Sequence, residues 1–194
     1  MPDGDAERGD EELMVAFCRG SQEAFGELFA RYRQPLFGFF RRRVADVGRA
    51  EELTQDVFVA VLRGAVRYEA TALFRTYLYA IGLKILGADR RKAAFRATFL
   101  GREPGERELA VANTLDTDVL LRDAVSKLER MDREILLLRE FEQLSYAEIG
   151  ELLKLPVNTV RSRLFRARTA LRDVLAAPAP RSAAQGLMEY EERV

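Results

Sequence analysis

The segment from Leu144 to Arg168 constrains the fold most, because it requires two short helices separated by a break of a few residues. Ser145 can cap the first helix, and Glu148 three residues later can return a hydrogen bond to the Ser145 N–H. This capping box stands where the apolar series Ile149, Leu152, Leu153 begins. Pro156 cannot continue that helix but suits the first turn of another, so a boundary is predicted at Leu155 or Pro156. On the second helix a period near 3.6 puts Val160, Leu164, Ala167 and Leu171 on one buried stripe. The opposite face carries Asn158, Ser162, Phe165, Arg166 and Thr169, with Arg161 beside them. No acidic residue occurs between Lys154 and Arg172, although Glu140, Glu142, Glu148 and Glu151 precede closely.

Two short helices around a tight turn, the second basic, have the layout of a DNA-reading helix-turn-helix. A solvated face has no reason to carry Phe165. A face lying in a major groove can set an aromatic edge against thymine methyls while Arg and Asn bond base edges. Arg163 and Arg168 flank the buried stripe and are assigned to phosphates. The alternative is an Arg-rich solvated helix in a small bundle. Capping box, Pro156 and Phe165 together favour the DNA reader.

Composition removes several classes. The 194 residues contain no histidine and one cysteine, Cys18, so an internal disulfide and a Cys-based zinc site are excluded and the usual general base is missing. Neither a metal nor any other cofactor is called for, and hydrolytic enzyme chemistry is disfavoured. Cys18, in the apolar series Leu13, Met14, Phe17, reads as a small buried hydrophobe rather than a redox sensor. Net charge is zero, yet Asp3, Asp5, Glu7, Asp10, Glu11 and Glu12 crowd the start and Glu189, Glu191 and Glu192 the end. These acids mask basic working surfaces in the total. No apolar run approaches the ~20 residues of a membrane span, and the acidic start is unlike a signal peptide. A cytoplasmic protein is expected, without membrane insertion.

From Glu11 to about Arg96 the pattern is helical. Ser21 is an N-cap for a helix with apolar Phe25, Leu28, Phe29, Tyr32, Leu36, Phe39 and Phe40, in which Pro35 is expected to cause a kink or restart. Arg49 to Arg63 forms a helix with Ala50, Leu53, Val57, Ala60 and Val61 toward the core. Glu51, Gln55, Phe58, Val59 and Leu62 face away from that stripe, a mixture suited to a protein partner. Packing of Phe58 and Leu62 on a third helix is the alternative. A turn-prone run from Gly64 to Thr71 precedes a helix from Leu73 to Lys92, whose end carries Lys84, Arg90, Arg91 and Lys92. That cluster can hold phosphates or offset the negative end of the helix dipole.

Gly101 to Thr117 lacks periodicity and is rich in Gly, Pro, Glu, Asn and Thr, as expected of a flexible linker. The second domain begins near Asp118, with Leu121, Ala124, Val125, Leu128, Ile135, Leu136 and Leu138 supporting the DNA reader. After Leu175, residues 176–180 are a spacer to a short tail. The fold class is therefore all-α, two small helical domains joined by a flexible linker, the second a helix-turn-helix domain. The divisions are an acidic arm and first helix over 1–20, a first domain over 21–96, a linker over 97–117, a second domain over 118–176 and a tail over 177–194.

This chain resembles the bacterial RNA polymerase sigma factors, specifically the extracytoplasmic-function (ECF) group. The resemblance rests on Ala50-Glu51-Glu52-Leu53-Thr54-Gln55-Asp56-Val57-Phe58, on Phe74-Arg75-Thr76-Tyr77-Leu78-Tyr79, on Leu144 to Ile149 and on Thr159 to Arg168. It implies a transcription initiation factor, not an enzyme, that binds core RNA polymerase, directs it to promoter DNA and assists opening. By resemblance, Glu52, Gln55, Asp56, Phe58 and Leu62 grip the clamp helices of the beta-prime subunit. The second domain meets the beta flap and reads the minus-thirty-five element through Asn158, Thr159, Arg161, Ser162, Phe165 and Arg166. The minus-ten element falls to Tyr68, Tyr77, Lys84, Arg90 and Arg91, where a base leaves the stack for a protein pocket. An anti-sigma factor is the further partner implied; a small-molecule substrate is not. The chain departs from the family in Tyr77, where Trp is usual, in Leu83-Lys84, where Arg-Asn is typical, in Asp89, which the family has one place earlier, and in Lys154, where Gly is favoured. Two other readings are a stand-alone or response-regulator-type transcription factor with a similar helix-turn-helix, the latter requiring a strand-and-helix receiver absent from this pattern, and a helical adaptor that binds polymerase without reading DNA, against which the Arg161 to Arg168 face argues.

Overall fold

The computed structural model describes residues 8–70, 72–99 and 119–176, and all regular structure among them is helical. The first group comprises α1 (Asp10–Cys18), α2 (Gln22–Arg41), α3 (Val47–Gly64), a 3-10 turn (Ala65–Arg67) and α4 (Phe74–Phe99). The second comprises α5 (Val119–Lys127), α6 (Arg130–Glu140), α7 (Tyr146–Leu153) and α8 (Val157–Ala176). The expected linker lies outside the described residues except for 97–99, which continue α4.

Side-chain caps set the helix starts. Ser21 Oγ accepts from Ala24 N at 3.2 Å and opens α2. Asp46 accepts from Arg49 N at 2.6 Å, so α3 starts at Val47, two residues before the apolar pattern indicates. Each cap satisfies a backbone donor that has no partner inside its helix. Helix α2 runs through Pro35 without interruption. Buried Leu28 on one side and Leu36, Phe39 and Phe40 on the other hold it across the missing hydrogen bond. Phe39 packs edge-on against Phe40 and beside Tyr79, where Gly82 leaves room for its ring. Cys18 is exposed, contrary to expectation: the α1 stripe buries Leu13 and Met14, and the helix ends at Cys18 with its thiol against the Ala65 carbonyl.

In the second group, Val160, Leu164 and Ala167 of α8 are buried with Ile135, Leu138 and Ile149, and Leu171 extends the stripe. Arg133 turns inward and donates to the Val125 and Leu128 carbonyls at 2.8 Å, closing the end of α5. Both halves of the capping box form: Ser145 Oγ accepts from Glu148 N at 3.2 Å and Glu148 accepts from Ser145 N at 2.8 Å. The turn into α8 uses Lys154 in the left-handed region at φ 57°. Pro156 stands just before α8, where its carbonyl accepts from Thr159 and Val160.

The tightness of this turn gives a paired prediction. A Cβ on Gly150 would lie 2.8 Å from the Leu155 carbonyl oxygen, so Gly150→Ala should destabilise the chain by about 1–3 kcal/mol. Lys154→Gly relieves the left-handed strain and should stabilise it by up to about 1 kcal/mol. Opposite shifts of the thermal midpoint are expected, and shifts of the same sign would show that the turn relaxes freely.

Candidate nucleic-acid interface

Burial of Val160, Leu164 and Ala167 fixes the rotation of α8, and what points outward follows. Phe165, the one aromatic residue of α8, is 70% exposed. Asn158, Arg161, Ser162 and Arg166 are exposed around it, and Thr159 is half-buried. Arg161 has no hydrogen bond or ion pair, whereas Arg166 makes only long contacts of 3.4 and 3.5 Å with Asp132. Arg163 and Arg168 differ. Arg163 donates to Glu129 at 2.6 Å and Asp132 at 2.8 Å, and Arg168 to Glu140 at 2.6 Å. The flanking arginines are thus held by acids of α6 and its cap, while the central pair is left open to a ligand.

On α3, Glu51, Gln55, Asp56, Val59 and Leu62 form an exposed strip, with Leu62 at 44%. Glu52 is exposed beside them and accepts from Arg49, which also reaches Asp89 on α4 at 3.0 Å. Phe58 is not part of this strip. It is 4% exposed and packs between Phe25, at a centroid distance of 6.2 Å, and Phe29, at 4.7 Å. The third-helix alternative holds for Phe58 because α2 covers it, and fails for Leu62.

The 3-10 turn and the start of α4 bring Tyr68 and Tyr77 together, edge to face at 5.2 Å. Gly64 permits this, since a Cβ there would stand 2.8 Å from the Tyr77 hydroxyl. The Tyr68 hydroxyl is enclosed yet has no hydrogen-bond partner, an uncommon condition for a buried polar atom. Burial pushes both phenols above their ordinary pKa, so they stay neutral donors. Tyr77, Lys84 and Arg91 recur every seven residues and share one side of α4 at steps of about 10 Å. Lys84 and Arg91 are exposed, while Arg90 is half-buried around the helix. The apolar pattern ends this helix at Lys92, so it misses Phe95 and Phe99. Their rings stack at 6.5 Å and are 73% and 82% exposed beside Lys92 and Arg96. A helix-period count carried past Lys92 would have found them.

The two groups of helices also meet. Arg75 of α4 grips Glu148 of α7 with two bonds of 2.7 Å, and Thr76 adds one of 3.1 Å. Arg42 and Arg43, just after α2, reach Glu142 at 3.0 and 3.2 Å, and Arg43 reaches Glu134 at 2.8 Å.

The comparisons agree with this architecture. The family model "Sigma-70 region 2" matches residues 28–85 and "Sigma-70, region 4" matches 118–171. The chain is 31% identical over 176 residues to the RNA polymerase sigma-H factor of Pseudomonas aeruginosa, covering 84% of this chain and 91% of that one. It is 30% identical over 172 residues to the ECF RNA polymerase sigma factor SigW of Bacillus subtilis, covering 81% and 91%. Among solved structures, CnrH in complex with the cytosolic domain of CnrY is similar at a TM-score of 0.66 and 27% identity, covering 88% of this chain and 99% of that one. Two sigma-70 regions on helical bundles, one bearing an exposed basic face, define a promoter-directed initiation factor of RNA polymerase. Within that class, the chain belongs to the ECF sigma factors. Among the described residues no helix is long and apolar enough to cross a membrane.

Glu148 supplies a pH prediction. Burial pushes its carboxyl up, but hydrogen bonds from Arg75 and Ser145 and the Arg75 charge outweigh this and hold it down to about 2. A depressed carboxylate adds stability that is fully present above its ordinary value of 4.5 and is lost as pH falls through about 2. Denaturant melts across this window should show that loss. Arg75→Ala should flatten it, and an unchanged acid profile in that variant would remove Arg75 as the cause.

Proposed function

We propose that residues 118–176 read the minus-thirty-five element through α8, with Asn158, Thr159, Arg161, Ser162, Phe165 and Arg166 at the bases. The observation that carries this is the pairing of an exposed Phe165 with uncommitted Arg161 on a helix whose opposite side is fully buried. Arg163 and Arg168 serve the phosphates by exchanging their carboxylate partners for the DNA backbone, more readily for Arg168, whose pair is exposed. The same domain meets the beta flap.

Residues 21–96 bind core polymerase and recognise and melt the minus-ten element. Glu52, Gln55, Asp56 and Leu62 face the beta-prime clamp helices, and Phe58 supports that strip from beneath. Tyr68 and Tyr77 receive an unstacked base, for which the unpartnered Tyr68 hydroxyl is a ready donor. Lys84, Arg90 and Arg91 hold the adjoining phosphates. The protein acts in the cytoplasm, catalyses no reaction itself, and is held in check by an anti-sigma factor, a reading supported by the likeness to CnrH captured with the CnrY cytosolic domain. Reconstitution with core polymerase tests the whole reading: promoter-dependent transcripts should appear only when this chain is added, and their absence at every promoter tried would refute it.

Two substitution sets probe the surfaces. Gln55→Ala with Leu62→Ala should weaken core binding by about 1–3 kcal/mol and leave the fold intact, since both are exposed. Phe58→Ala should destabilise the fold by about 3–5 kcal/mol. Equal melting of all three would reassign the strip. On DNA, Arg166→Ala should cost about 1–3 kcal/mol at the preferred site and relax one or two positions. Arg168→Ala should weaken all duplexes alike and lower the salt slope by about one unit. Titrations of matched and mismatched duplexes at several salt concentrations separate these, and the reverse pattern would mean that α8 is rotated in the groove.

A further inference from the structure

We propose that the last turns of α4 form a second station for the unpaired promoter strand, where Phe95 and Phe99 stack on bases and Lys92 and Arg96 hold phosphates. The inference rests on the minus-ten role given above to Tyr68 and Tyr77 and extends it to residues that this role does not use. They lie outside both matched regions, which cover 28–85 and 118–171. From Arg91 to Phe99 every side chain except that of Ala97 is exposed, so this end of the helix has no core stripe. It nevertheless carries two rings that are parallel to within 16°. Arg90, Arg91, Lys92 and Arg96 surround them, and no acid occurs between Arg90 and Phe99. Among the described residues neither Arg91 nor Lys92 makes an ion pair, and Arg96 donates only to the Lys92 carbonyl at 3.4 Å. Exposed aromatic groups interleaved with cations suit a single strand, because every base offers a π-face and every nucleotide a phosphate. A protein interface keeps charge at its rim, whereas here Lys92 and Arg96 flank Phe95 directly.

Helix geometry sets this station in line with the base pocket. Phe95 follows Tyr77 by five whole helical turns, so both share one side of α4 with Lys84 and Arg91 between them, and Phe99 lies one turn further. The rise along the helix is about 27 Å from Tyr77 to Phe95 and about 33 Å to Phe99. An unpaired strand rises about 3.4 Å per nucleotide when stacked and about twice that when extended. Phe95 therefore meets a base about four to eight nucleotides from the one at Tyr77. A groove of about 680 Å³ opens beside Phe95, with Lys92 and Arg96 on one wall and Arg49 and Glu52 of α3 on the other. That volume falls in the range of pockets that hold small organic ligands, and a nucleotide is of that size. Asp46 and Glu52 in the groove already accept from Arg49, so its uncommitted charge is positive. A base on Phe95 thus has its phosphate beside Lys92 or Arg96. Stacking of this kind is tolerant of sequence. It strengthens the hold on the melted strand without adding a recognised base.

Abasic scanning with the reconstituted holoenzyme tests this, on a promoter probe held open by mismatches over the minus-ten element and about ten nucleotides to either side. Each station is mapped by the variant that erases its penalty, Tyr77→Ala for the pocket and Phe95→Leu/Phe99→Leu for the second station. Leu keeps the apolar bulk and favours helix, and circular dichroism checks helicity. With the unsubstituted chain, removing a base at either station should weaken binding about fivefold or more. The two maps should lie about four to eight nucleotides apart. Lys92→Gln/Arg96→Gln should keep the base dependence and lower the salt slope by about one unit. If the Leu variant loses helix, the unsubstituted scan and this slope decide. Absence of any penalty four to eight nucleotides from the pocket base, or an equal penalty there in the folded Leu variant, would overturn the station. Weaker core binding by the Leu variant without base dependence would show that the rings meet polymerase, and would overturn it too. A Leu-sensitive position without any Tyr77-sensitive one would refute the pocket and leave the station standing. Failure of the unsubstituted holoenzyme to bind any open probe would overturn both.

Discussion

The Glu148 carboxylate ties local structure to the arrangement of the whole molecule. One oxygen accepts from Ser145 N and so completes the start of α7, while the pair of oxygens meets the planar fork of Arg75. A bidentate charge-assisted pair is directional, so the orientation that caps the helix is also the one that presents the carboxylate to α4. Ile149 and Gly150 follow immediately and are buried, and Gly150 lets the chain fold tightly into the turn before α8. The position of α8 thus descends from one acidic side chain through the turn it initiates.

Electrostatics then divides the arginines of α8 into two sorts. Asp132, itself buried, and Glu129 receive Arg163 across the α6 side, and Glu140 receives Arg168. Exposed pairs of the second kind are worth about 0–1 kcal/mol, so a phosphate can replace Glu140 at little cost. The half-buried Arg163 pair is firmer. What remains outward is Arg161, the loosely held Arg166 and Phe165 between them, a combination that water stabilises poorly and a groove edge accommodates.

Much of this was legible in the residues alone. Ser145 with Glu148, and the stripe of Val160, Leu164 and Ala167, determine their structure through local hydrogen bonding and a simple period, so both the helix-turn-helix and its exposed face could be derived. Phe58 could not, because the α3 pattern does not reveal that Phe25 and Phe29 of α2 cover its flank. Cys18 failed for the reverse reason: an apolar neighbourhood in sequence ended at a helix terminus, where the stripe no longer faces the core. Pro35 was outweighed by tertiary packing on both sides. Tyr68 and Tyr77 were assigned through family likeness, and their contact depends on Gly64 and a 3-10 turn that no periodicity announces.

The contact between the two groups was illegible for a physical reason. Its partners are separated by 73 to 100 residues, and each alone looks like an ordinary solvated charge on a helix or turn. Pairing such charges in a dry contact yields little net stability, since the desolvation of both ions offsets most of their attraction. An apolar seam of the same extent would have joined the groups more firmly and left a periodic trace in the sequence. Ionic pairs do the opposite: they specify one arrangement and tolerate no mismatch of sign.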